Sequence, residues 1–137
     1  MLFRSNESTT SDFENVIGSN LRGTYLCTRE AVKIMIQGTI INISSGMIKV
    51  PGYAKLGLYS MSKAGIEQFT QCVAKEYPHL KLFTALPGRM NTQLHKQMFP
   101  GYPENRLLDP KIVAGKIVRL IEGAQYIESG TSFELYL

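Results

Sequence analysis

Residues 39–86 run TIINISSGMIKVPGYAKLGLYSMSKAGIEQFTQCVAKEYPHLKLFTAL and read as strand, loop, helix, strand. TIINIS at 39–44 is β-branched and nearly continuous in apolar residues, the pattern of a parallel strand covered on both faces. Gly46, Pro51, Gly52 and Gly57 punctuate the loop that follows. From Tyr59 to Tyr77 the apolar spacing is helical, and Pro78 stops the helix because it lacks an N–H and clashes with the preceding turn. LKLFTAL at 80–86 is a second strand, ended by Pro87-Gly88.

The same pattern extends outward on both sides. Ser11 followed by Glu14 has capping-box spacing and predicts a helix start. Phe13, Val16, Ile17, Leu21, Tyr25, Val32, Met35 and Ile36 recur near helical spacing, so an amphipathic helix is expected over 12–36. Gly38 suits a left-handed position after its end. Residues 89–109 contain FPGYP and little regular pattern, which predicts an excursion with one helical piece. Asp109-Pro110 supplies an N-cap and a proline at the first helical position. Ile112, Val113, Ile117, Leu120 and Ile121 form a stripe on a helix ending near Gly123, and TSFELYL at 131–137 is a last strand. The expected fold is α/β, a partial Rossmann-like, doubly wound parallel sheet of about three strands with covering helices.

Bulk composition narrows the function. A chain of 137 residues with 44% hydrophobic and 19% charged residues is one domain with a packed core. No segment has the ~18–20 continuous apolar residues of a membrane span, and MLFRSNESTTSDFE lacks the apolar core of a signal peptide. Cys27 and Cys72 fall in expected helices, where small buried hydrophobes are anticipated rather than a disulfide; a reducing, cytoplasmic setting fits them. His79 and His95 have no metal-ligand spacing around them. The net charge is +4, yet the basic residues are scattered, whereas nucleic-acid binding needs a clustered face.

Chemistry concentrates at the strand ends. Tyr59 and Lys63 lie four apart on one helix face, so a phenol and an ammonium can share a cleft. A phenol ordinarily titrates near pH ~10, and a cation within ~4–6 Å typically lowers such a value by ~1–3 units. That is the equipment of a general acid/base. Tyr77 and Lys81 repeat the spacing, but Pro78 lies between them, so that match is accidental. Ser45 closes the first strand, where ligands of open α/β sheets bind. Its hydroxyl can meet a substrate oxygen or merely serve a turn. Asn20, mid-helix, needs a partner if buried, structural or functional. Pro87, Gly88 and Thr92 follow the second strand.

The order Asn20, Ser45, Tyr59, Lys63, Pro87-Gly88 resembles the short-chain dehydrogenase/reductase family. The matching strings are NLRGTYLCTREAV, GTIINISSG, YSMSKAGIEQF and PGRMNT, with LLDPKIVAGKIVRLI a weaker echo, and the likeness spans about residues 12–122. It implies an NAD- or NADP-dependent oxidoreductase that interconverts a secondary alcohol and a carbonyl. On that resemblance Tyr59 takes the place of the catalytic acid/base. Lys63 takes that of the lysine that assists the phenol's ionisation and holds the nicotinamide ribose. Ser45, rather than Ser44, stands where the family polarises the carbonyl oxygen, and Asn20 where it organises a relay water. Pro87 and Gly88 border the nicotinamide, Thr92 bonds its carboxamide, and 93–109 is the substrate lid. The implied partners are a small alcohol or carbonyl substrate and further copies of the chain, as a homodimer or tetramer through the 12–36 and 59–77 helices. No nucleic-acid or membrane partner is expected.

Two features depart from the family. No glycine-rich strand-turn-helix that cradles a pyrophosphate is present, and no NNAG strand precedes the first helix. The expectation is therefore a catalytic half, inactive by itself, whose TIINIS strand is an exposed apolar edge prone to association. A non-catalytic remnant serving as an interaction or dimerisation module is the alternative.

Overall fold

The structure is a computed structural model and describes residues 4–136. Three strands form one parallel sheet in the order β1 (Thr39–Ile43), β2 (Lys81–Leu86), β3 (Ser132–Glu134). Ile40 pairs with Leu82 and Ile41 with Phe83, while Ala85 of β2 pairs with Phe133 of β3. Parallel neighbours require crossovers, and helices supply them.

The strand period of two sorts side chains onto two faces. On one face, Leu82 and Ile40 meet Val73, Ala74 and Phe69 of α3 (Gly57–Glu76) and Val32 of α2 (Gly23–Ile34). On the other, Ala85, Ile41 and Phe133 meet Val113, Ile117 and Leu120 of α5 (Pro110–Gly123). β2 is therefore walled on both sides, with Leu82, Phe83, Ala85 and Leu86 fully buried. A fully buried leucine or phenylalanine side chain contributes roughly 1.5–3 kcal/mol relative to exposure. Helices on both faces of a parallel sheet are the doubly wound arrangement.

A buried polar string crosses the apolar layer. Thr28 Oγ1 of α2 donates to Asn42 Oδ1 of β1 at 3.2 Å, and Asn42 Nδ2 donates to Thr70 Oγ1 of α3 at 2.9 Å. Thr70 in turn donates to the Ile66 carbonyl at 2.8 Å, so every member has a partner.

The first helical region departs from the expected continuous 12–36 helix. It consists of α1 (Thr10–Ile17), a π-helical turn (Gly18–Arg22) and α2, which ends at Ile34. The capping box uses Thr9 and Asp12 rather than Ser11 and Glu14, because Thr9 Oγ1 accepts from the Asp12 N–H and the Asp12 carboxylate accepts from the Thr9 N–H. Met35 is already extended, and Ile36 is 89% exposed, so the last two residues of the expected stripe lie outside the helix. Gly38 does take a positive φ, of 138°. Cys27 and Cys72 are exposed, not buried, because each sits on the solvent side of its helix.

Other boundaries fall close to expectation. The second helix begins two residues early, at Gly57, and ends at Glu76 before Pro78. Asp109 caps α5, its carboxylate accepting from the Lys111 N–H, with Pro110 at the first position. The excursion holds α4 (Gln93–Met98) and a 3₁₀ turn at Glu104–Arg106, and Leu137 of the expected last strand lies outside the described residues. Among the described residues β1 has a strand partner on one side only, and Ile43 is 43% exposed. Among the described residues no helix is long and apolar enough to cross a membrane.

Candidate active site

Past the end of β1 the ladder with β2 continues through single bonds. The Ser44 N–H donates to the Ala85 carbonyl and the Gly46 N–H to the Pro87 carbonyl, both at 2.8 Å. This holds Ser45 beside the Pro87–Gly88 turn, at the carboxyl end of the sheet where ligands of such folds bind. Ser45 Oγ accepts from the Met47 N–H at 3.2 Å, capping a 3₁₀ turn, and its own proton remains to be donated. Both glycines at this junction are required by Tyr136. A Cβ on Gly46 would lie 2.4 Å from the Tyr136 ring, and one on Gly88 would lie 2.3 Å from Tyr136 Cβ.

α3 brings the phenol and the ammonium. Tyr59 lies in its first turn and Lys63 one turn later. Lys63 is bound to β1 twice: its carbonyl accepts from Ser44 Oγ at 2.7 Å, and its Nζ donates to the Ile43 carbonyl at 3.0 Å. The ammonium sits 5.9 Å from the centroid of the Tyr59 ring. Burial holds the Lys63 amine below its ordinary pKa.

Asn20 occupies the π-helical turn. Its Nδ2 donates to Ser62 Oγ at 3.0 Å, and Ser62 donates to the Tyr59 carbonyl at 2.7 Å. The amide thus braces the turn of α3 that carries Tyr59. Thr92 is the N-cap of α4, its hydroxyl accepting from the His95 N–H at 3.2 Å.

Ser45, Tyr59, Pro87, Gly88 and Thr92 line one cavity of about 380 Å³. Lys63 and Asn20 are not among its lining residues; the Lys63 ammonium lies over the Tyr59 ring and Asn20 is bonded to Ser62. The far wall is the excursion expected as a lid, closed at its neck. Leu108 N–H donates to the Arg89 carbonyl and Asn91 N–H to the Leu108 carbonyl, both at 2.9 Å.

Arg89 and His95 are among the cavity residues that the sequence reading does not single out. Arg89 donates to Tyr102 Oη at 3.1 Å and to Tyr53 Oη at 2.9 Å, and its guanidinium carbon lies 5.0–6.0 Å from the rings of Tyr102, Tyr53 and Phe99. His95 is 8% exposed and packs on Phe99 and Tyr102. Burial, then the Arg89 charge, holds its imidazole below the ordinary histidine value. Arg89 was visible as the residue after Pro87-Gly88; nothing local marks His95. Among the described residues, no His/Cys/Asp/Glu group is arranged to hold a metal ion.

Comparison with known proteins points in one direction. A family model described as short chain dehydrogenase matches residues 2–103. A 3-oxoacyl-(acyl-carrier-protein) reductase of Synechocystis sp. is 36% identical over 118 residues, covering 77% of this chain and 47% of that protein. A (3R)-3-hydroxyacyl-CoA dehydrogenase of Homo sapiens is 33% identical over 139 residues, covering 90% and 52% respectively. The crystal structure of a short-chain dehydrogenase of Escherichia coli CFT073 complexed with NADPH superimposes with a TM-score of 0.88 at 21% identity, covering 99% of this chain and 58% of that one. The chain spans about half the length of the curated relatives it matches.

Proposed function

The chain belongs to the short-chain dehydrogenase family, and we propose that it forms the catalytic side of an NAD(P)-dependent oxidoreductase interconverting a secondary alcohol and a carbonyl. One observation carries this: Tyr59 and Ser45, from different elements, line the same cavity, with the Lys63 ammonium against the Tyr59 ring. In the reductive direction the Tyr59 hydroxyl gives its proton to the substrate oxygen, and in the oxidative direction it takes one back. Ser45, whose proton is free to be donated, stabilises charge on that oxygen. Asn20, through Ser62, keeps the turn bearing Tyr59 in place.

The residues fit the nicotinamide end of a dinucleotide. Lys63 Nζ makes one hydrogen bond, leaving two N–H groups for ribose hydroxyls, and the Thr92 hydroxyl keeps a proton for a carboxamide beside Pro87 and Gly88. A bound nicotinamide supplies or receives the hydride. Residues for the pyrophosphate are not present in this sequence, so turnover is proposed for the chain joined to a phosphate-binding half. Homo-oligomer formation belongs to the same proposal; exposed Phe13, Leu26 and Met61 on the α1–α2 and α3 helices support it. A cytoplasmic setting is part of the same proposal.

The test uses the coding region extended upstream and both nicotinamide cofactors. Tyr59→Phe should abolish turnover while leaving cofactor affinity nearly intact. Retained turnover in that variant would refute the role given to the phenol.

A further inference from the structure

Among the described residues, the lid side of the cavity carries positive charge without an acid to balance it: Arg89 and Arg106 line the cavity, and no described Asp or Glu does. The nearby carboxylate of Glu104 is paired with Lys96 at 2.8 Å. Two tyrosine hydroxyls hold the Arg89 guanidinium in a fixed orientation, using two of its five N–H donors. Three aromatic rings lie 5.0–6.0 Å from it and add cation–π attraction that favours the charged form.

His95 is the independent sign. It lines the same cavity, is more than nine-tenths buried, and neither Nδ1 nor Nε2 has a hydrogen-bond partner. Buried polar atoms in folded proteins are paired with few exceptions, so the imidazole keeps hydrogen-bonding capacity for a group entering the cavity. Met98, Phe99 and Leu108 line the same cavity, which suits an apolar body.

We propose that the cavity selects an anionic substrate: an oxo or hydroxy compound with an apolar body, whose terminal oxyanion, a carboxylate or a phosphate ester, is received by Arg89 and His95. The oxo or hydroxy part rests on the dehydrogenase reading; the oxyanion part does not. A guanidinium offers the parallel N–H pair that such groups accept, and a neutral imidazole adds one donor.

The test is a titration of the isotope-labelled 137-residue chain with 3-oxooctanoate, its methyl ester and octyl phosphate, read by NMR of the His95 ring and the Arg89 side chain. The acid or the phosphate should bind tighter than the ester by on the order of tenfold or more, and the stronger of the two identifies the oxyanion. R89Q should erase the preference, and R89K, which keeps charge but not the fork, should retain part of it. Equal binding of acid and ester overturns the proposal, as does binding of none of the three, or a preference surviving in R89Q. The dehydrogenase reading fails separately. If the extended protein shows no Tyr59-dependent turnover while the chain still prefers the acid, the anion site stands and the reaction does not.

Discussion

Asn42→Leu tests whether the polar string through the sheet holds the site's framework together. Asn42 joins α2 to β1 to α3; β1 leads directly into Ser44 and Ser45, and α3 carries Tyr59 and Lys63. Replacing it with leucine leaves the Thr28 hydroxyl, 2% exposed, without its acceptor, a loss of about 1–3 kcal/mol. The lost bond to Thr70 adds about 0.5–1.5 kcal/mol, and the larger apolar side chain returns up to about 1 kcal/mol. The expected net loss is about 2 kcal/mol. Thr28 can be relieved by valine, so Asn42→Leu with Thr28→Val should be less destabilised than the sum of the single variants by about 1–2 kcal/mol. Urea unfolding followed by circular dichroism measures all four proteins. A single variant within about 0.5 kcal/mol of the parent, or additivity to that margin, would refute the reasoning.

Lys63 gives a pH prediction. Burial depresses its folded value below the ordinary 10.5, so the unfolded chain binds more protons between the two values. Stability should therefore rise with pH across that window and level off above 10.5; a side-chain NMR titration placing Lys63 at or above 10.5 contradicts it. Gly88→Ala should lower Tm by several degrees, since the new Cβ meets Tyr136 Cβ at 2.3 Å, and calorimetry showing no change would overturn the role given to that contact. The edge of β1 left unpartnered among the described residues, with Ile43 exposed, should make the isolated chain self-associate at micromolar concentration. Sedimentation velocity showing one stable monomer would argue against this.

What the sequence disclosed follows from how local each signal is. Pro78 and Asp109-Pro110 act through covalent geometry and a single cap, and they mark helix ends where the structure has them. LKLFTAL was legible because burial on both faces writes itself as continuous apolar residues, and TIINIS carries the same pattern although β1, at the sheet edge, is only partly buried. The π-helical turn at Gly18–Arg22 was not, since one extra residue in a turn barely disturbs an apolar period. Asn42 was hidden in an otherwise apolar strand because its partners, Thr28 and Thr70, lie 14 and 28 residues away. At the site, Ser45, Tyr59, Pro87, Gly88 and Thr92 converge on one cavity, whereas Lys63 and Asn20 are not among its lining residues. His95 escaped notice because only the folded excursion brings Arg89, Phe99 and Tyr102 around it.

The double attachment of Lys63 has a consequence for how this protein can vary. Its carbonyl is stitched to Ser44 and its ammonium to Ile43, so α3 can neither slide nor roll against the strand without tearing both threads. The spacing of serine and phenol is consequently fixed by strand against helix, and the ribbon around Pro51 and Gly52, exposed from Lys49 to Lys55, does not set it. Insertions or deletions there should leave the distance between the two hydroxyls untouched.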